Sequence, residues 1–112
     1  MIVRLYTGDD GETHFENPKT PEGKGERVAL APGADFTFRS SPHGYFNGLH
    51  ASSRRHYAIV LSGEMEIGAS DGALRRLRPG DLLLAEDVTG KGHTTRISEG
   101  PSLRVSVSLP DQ

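Results

Sequence analysis

The sequence predicts an all-β fold, an antiparallel sandwich or closed barrel in a single domain. Three observations carry this. Apolar residues recur with a two-residue period in several segments, and no window of a dozen residues shows an apolar stripe at helical spacing. Fourteen glycines and seven prolines are spread through 112 residues, where they punctuate short segments and mark no disordered tract. The punctuation leaves about nine or ten short strands with turns roughly every six to twelve residues, the rhythm of sandwiches and barrels. Closure of the sheet would also remove the exposed edges that so many short strands create.

The N-terminal residues 1–25 read as one strand and a loop, and residues 26–109 as the barrel core. Ile2, Val3 and Leu5 give the first strand an apolar character suited to pairing with a second copy of the chain. The polar run from Glu16 to Glu26 is a surface loop. ERVALA then reads as a strand, Pro32-Gly33 as a tight turn, and ADFTFRS as a second strand with Phe36 and Phe38 inward and Asp35, Thr37 and Arg39 outward. HYAIVLSG is rich in β-formers on both faces and predicts a central strand. EMEIGA alternates, with Met65 and Ile67 opposite Glu64 and Glu66. Asp71-Gly72 is a hairpin signal that leads into ALRRLRP as the partner strand. Arg75, Arg76 and Arg78 on that strand are placed to pair across it with Glu64 or Glu66. Pro79-Gly80 turns the chain into DLLLAE, HTTRIS follows, and Gly100-Pro101 turns it again into SLRVSVSLP. This last segment places Leu103, Val105, Val107 and Leu109 toward the core, and Ser102, Arg104, Ser106 and Ser108 toward water.

Composition removes several classes of function. There is no cysteine, so disulfides, thiolate catalysis and cysteine zinc sites are excluded. A formal net charge of -2 with acids and bases interleaved gives no broad basic face for nucleic acid or a membrane surface. No stretch approaches the roughly 20 apolar residues of a membrane span, and the N-terminus has no signal-peptide pattern. A cytoplasmic protein is expected.

The run EDVTGKGH from Glu86 to His93 poses a choice between a phosphate loop, a metal site and an ordinary turn. A phosphate loop needs a glycine five residues before its Gly-Lys pair and a Ser or Thr after it. Ala85 and Gly92 occupy those places, and no nucleotide cofactor is expected. A mobile loop at the barrel mouth is the better reading, with Gly90 and Gly92 at positive φ. In a functional version Glu86 or Asp87 is an acid–base group and Lys91 steers an anionic ligand. In a bland version they are solvated turn residues.

The stretch from His50 to His93, with LSGEMEI, DGALRRLRPGD and GKGH in order, resembles the cupins, which are small jelly-roll barrels. Gly63 matches the glycine that closes their first motif, and Pro79-Gly80-Asp81 the turn before their second. The resemblance implies an antiparallel jelly-roll β-barrel over residues 26–109 and a site inside it, without choosing an activity. Carried over residue by residue, it places His50 and His93 at metal positions, Ser52 where a second histidine is usual, and His56 where a glutamate is usual.

His50, His56 and His93 are therefore the candidate metal ligands, for a divalent transition metal such as Fe, Zn, Ni, Mn or Cu. The same departures also fit a site that has lost its metal and left His56 as a core residue. Glu86 and Tyr57 are the candidate catalytic residues, and Arg54 and Arg55 the candidate substrate-binding pair, since a guanidinium can hold a carboxylate with two donors. Tyr45, Phe46 and Tyr57 line a pocket or fill the core. The functions that follow are a metal-dependent small-molecule enzyme of isomerase, oxygenase or lyase type, a ligand-binding or sensing protein without chemistry, and a metal-free acid–base enzyme. The expected partners are a small molecule in the barrel and a second copy in a homodimer.

Overall fold

A computed structural model describes residues 1–110. Its elements are all strands: β1 (Ile2–Thr7), β2 (Thr13–Glu16), β3 (Thr37–Ser41), β4 (Phe46–His50), β5 (His56–Ala69), β6 (Leu74–Leu77), β7 (Leu82–Ala85) and β8 (His93–Ser108). They form one mixed sheet in the order β2-β1-β7-β5-β8-β3, with β4 added to β8 and β6 to β5. All the pairings are antiparallel except that of β1 with β7, which is parallel. Among the described residues, no helix is long and apolar enough to cross a membrane.

The frame is the long ladder between β5 and β8. His56–Val60 pairs with the far half of β8, and Glu64–Ala69 with its near half. Between them the register shifts at Ser62 and Glu64, the bulge geometry that lets a strand bend. Gly63 sits in this bend at φ 71°. A Cβ there would lie 2.5 Å from the Glu99 carbonyl oxygen and 2.7 Å from that of Pro101. The closing glycine of the motif is thus required by a close backbone approach. The bend gives the sheet two halves. One carries β3, the ends of β8 and β5, β7 and β1. The other carries β4, β6 and the remaining parts of β5 and β8.

The core fills one end of this arrangement with Val3, Leu5, Val60, Met65, Ile67, Leu77, Leu83, Ala85 and Ile97, all nearly inaccessible to water. The hairpin at Asp71-Gly72 forms as expected, and Arg76 pairs with both Glu64 and Glu66.

Several expectations are corrected. ERVALA forms no strand, and Gly100-Pro101 lies within β8 and does not end it. Val3 and Leu5 are core residues, and β1 is paired along both edges, to β2 and β7. It therefore has no free edge to offer a second copy. The phase of β3 and of Leu103–Val107 in β8 is inverted, whereas Leu109 is buried as expected. Phe36 and Phe38 are 67% and 68% exposed, while Thr37, Arg39, Arg104 and Ser106 line the cavity between the sheet halves, Thr37 and Arg39 remaining exposed there. The two-residue period identifies two faces but does not say which one points inward. Here the interior is a polar cavity, and the apolar face is the outer one.

Candidate functional site

The cavity has a volume of about 350 Å³ and lies between the two halves of the sheet, a size suited to a small organic molecule. His50, His56 and His93 all line it, together with Arg39, Arg104 and Tyr45. The sequence-derived histidines are thus brought to one space. His50 and His93 are register partners on β4 and β8, and their ring centroids are 4.6 Å apart. Gly92, at φ 81°, permits this. A Cβ at Gly92 would collide with the backbone of His50 and Ala51, so only glycine lets the loop before β8 pack against β4.

Each histidine has its Nδ1 committed to an oxygen. His50 Nδ1–H donates to the Gly48 carbonyl at 2.7 Å, and His56 Nδ1–H to the Arg54 carbonyl at 3.0 Å. His93 Nδ1–H donates to Asp87 Oδ2 at 2.6 Å. Carbonyl and carboxylate oxygens only accept, so the tautomer follows from the partner. With its one proton on Nδ1, each ring when neutral has a lone pair on Nε2, able to bind a metal or take a proton.

Asp87 is the residue that sequence reasoning undervalued. It is fully buried, and it accepts the Ser52 hydroxyl at 2.8 Å as well as His93. Ser52 also donates its backbone N–H to the Asp87 carbonyl oxygen at 2.9 Å. The serine at a position usual for histidine therefore fixes the carboxylate that orients His93, and Asp87 is no solvated turn residue. The signal available was an acid preceding the motif histidine within a glycine-bounded loop. That signal gives no depth of burial. The rest of this loop is also tied down. Gly90 has φ 74°, Thr7 Oγ1–H donates to the Thr89 carbonyl at 2.8 Å, and Lys91 pairs with Glu12.

The other sequence-derived candidates lie elsewhere. Glu86 is absent from the cavity lining and sits between two guanidiniums, with Arg4 Nε donating at 2.6 Å and Arg55 Nε at 2.7 Å. Burial pushes its carboxyl up, but the hydrogen bonds from Arg4 and Arg55 outweigh this and hold it below the usual carboxylate range. A carboxylate so held is a poor acid–base group at neutral pH. Arg55 is taken up by Glu86 and by the Pro110 carbonyl. Arg54 is exposed and outside the cavity. Tyr57 lies on the outer face in an apolar hollow with Ile2, Val28, Ile59, Leu82 and Val107, and burial raises its phenol. Phe46 is half exposed under the Arg96 guanidinium. The arginines that reach the cavity are Arg39 and Arg104, both assigned to the water face from sequence.

As a metal centre the donor set is incomplete in this arrangement. Among the described residues, no three His, Asp or Glu side chains are grouped to hold one ion. His50 and His93 form a close pair, and His56 lines the same cavity apart from them.

No family model and no curated protein matches the sequence. Solved structures do match. KdgF from Halomonas sp. is 27% identical, with a TM-score of 0.59, over 76% of each chain. An RmlC-like cupin from Shewanella frigidimarina is 19% identical, with a TM-score of 0.55, over 70% of this chain and 68% of that one. An RmlC-like cupin from Desulfovibrio desulfuricans is 20% identical, with a TM-score of 0.55, over 75% of this chain and 79% of that one. The chain has a cupin fold.

Proposed function

We propose that this chain is a cytoplasmic small-molecule enzyme of acid–base type, working in the cavity between the sheet halves as an isomerase or lyase. The observation that carries the reading is the buried Asp87–His93 pair facing that cavity. A carboxylate behind Nδ1 fixes the ring and stabilises the imidazolium that forms when Nε2 accepts a proton. The His93 imidazolium, packed against the His50 ring, is placed to return that proton from Nε2 to another atom of the ligand. General acid–base groups of this kind typically contribute 10²–10⁴-fold. The test is incubation with a panel of small polar metabolites in D₂O, read by ligand-observed NMR. Deuterium uptake or product is expected for at least one cavity ligand, lost in His93→Ala and kept in His14→Ala. Binding without either would favour the ligand-binding or sensing reading and end the enzymatic one.

A second reading, a metal-dependent enzyme of isomerase, oxygenase or lyase type, is favoured by one observation. All three histidines hold Nδ1 in hydrogen bonds and, among the described residues, have no hydrogen-bond partner at Nε2, the arrangement that a metal-ligating imidazole needs. It requires His56 to join the His50–His93 pair. Stoichiometric transition metal in protein reconstituted with Fe, Zn, Ni, Mn or Cu, lost in His56→Ala, would establish it. A His56→Ala protein that keeps the wild-type metal content would remove it.

Homodimerisation is also proposed, through a face and not an edge. Phe38, Val105, Ile59, Leu82 and Ile2 are successive register partners across β3, β8, β5, β7 and β1. They make one apolar row on the outer face, where Phe38 is 68% exposed. Phe38 and Ile59 are exposed and Val105, Leu82 and Ile2 half-buried; an apolar row of this kind marks an interface, and a second copy would match it isologously.

A further inference from the structure

Arg39 and Arg104 are directly opposite each other on β3 and β8, and both line the cavity. Like charges in directly opposed positions destabilise a sheet, so such a pair calls for a counter-charge. None is present among the described residues. The ion pairs there engage Arg4, Arg55, Arg76, Arg78 and Lys91, but neither of these two. The nearest polar partners are hydroxyls at long range: Tyr45 for Arg39 and Ser41 for Arg104, each at 3.4 Å. The cavity lining as a whole holds two arginines and three histidines but no Asp or Glu. Burial, with the charge of Arg39 adding to it, draws the Arg104 guanidinium below its ordinary value. Arg104 is half-buried and Arg39 exposed, so the unpaired charge that burial penalises is that of Arg104.

We infer that Arg39 and Arg104 form a carboxylate-binding subsite, and that the cavity ligand is a small organic acid held by both guanidiniums. A carboxylate placed between them would replace the repulsion with charge-assisted hydrogen bonds, whose two-donor geometry suits its two oxygens. The opposite half of the sheet presents His50 and His93. Sheet faces pack roughly 10 Å apart, so a chain of a few carbons anchored at the arginines brings its other end to the imidazoles. The inference rests on the cavity being the site of small-molecule binding, and it names the class of that molecule.

The test uses succinate, its neutral analogue succinamide, and inorganic phosphate as probes on the full chain. Arg39→Met, Arg104→Met and Arg54→Ala are compared with the wild type by calorimetry and by NMR of the arginine Nε–H signals. Succinate should shift the Arg39 and Arg104 signals, and succinamide should not. Each cavity variant should weaken succinate binding by about 10- to 100-fold, the equivalent of one hydrogen bond to a charged group. Arg54→Ala should leave it unchanged. In the ligand-free state Arg39→Met and Arg104→Met should melt above the wild type, because the opposed charges are relieved. Lower melting temperatures, equal binding of succinamide, or binding of phosphate in preference to succinate would each overturn the carboxylate subsite. If the arginine variants bind succinate normally while His93→Ala still abolishes deuterium uptake from another ligand, the inference fails and the acid–base reading stands. If no probe or metabolite binds in the cavity, both fall.

Discussion

Removing the Asp87 side chain is the perturbation whose effect can be worked furthest from the structure. Asp87 is 0% exposed and accepts two hydrogen bonds, from Ser52 Oγ at 2.8 Å and from His93 Nδ1 at 2.6 Å. Both donors are themselves buried, Ser52 at 6% exposure and His93 likewise at 6%. Asp87→Ala leaves two buried donors without acceptors, at about 1–3 kcal/mol each, so a loss of about 4 kcal/mol is expected. Asp87→Asn keeps the shape and one carbonyl oxygen. The Ser52 hydroxyl can rotate to accept from the new amide, and His93 can still donate, so only the charge assistance is lost, about 1 kcal/mol. Urea denaturation followed by circular dichroism separates the two through their midpoints, provided that the slopes agree. In thermal melts the Ala variant should fall by roughly 10–20 °C. An Ala variant within 1 kcal/mol of the wild type, or an Asn variant as damaged as Ala, would refute the reasoning. The first would mean that the pair is not a stabilising element, and the second that Asn cannot stand in for the carboxylate.

Other predictions follow from single sites. Gly63→Ala places a Cβ against the Glu99 and Pro101 carbonyls at positive φ, and a loss of about 3 kcal/mol or more is expected by denaturation. His14 is bridged by Asp10 and Asp71, each at 3.0 Å, and its hydrogen bond to Asp10 raises its pKa above the usual value. A raised folded-state pKa means that the contribution is full below about pH 6.5 and is lost as pH rises through the folded value. His14→Ala should flatten that part of the stability profile, and an unchanged profile would count against the bridge. Glu86 has the opposite sign. Its carboxyl is held low, so its contribution is present above the usual carboxylate range and is lost as pH falls through the folded value. Glu86→Gln should reduce acid sensitivity while leaving activity in place. For the apolar outer row, light scattering at micromolar concentration should give a dimer mass that Phe38→Asp lowers to that of a monomer. A monomeric wild type would end that proposal.

The fold was legible because turns and strand period were written locally. Asp71-Gly72 and Gly63 each stand where their backbone geometry is needed. The clustering of His50, His56 and His93 in one cavity was accessible only through the cupin resemblance, since strand period alone cannot join residues so far apart in sequence. Two things were not legible. Alternation in Phe36–Arg39 and Leu103–Val107 is symmetric between faces, and placing the apolar face inward fails where the inner face lines a cavity rich in polar side chains and the outside awaits a cover. That is why Arg39 and Arg104 were assigned to water. Burial of a loop residue was the other. Asp87 and Glu86 are adjacent acids with the same sequence context, yet one turns in to His93 and the other out to Arg4 and Arg55.

The most direct measurement is a crystal structure of the chain with a ligand taken from the metabolite screen. Electron density is expected between the two halves of the sheet, with an acid group against Arg39 and Arg104 and the remainder reaching His50 and His93. Density confined to the outer hollow beside Tyr57, with the inner cavity filled only by water, would contradict it.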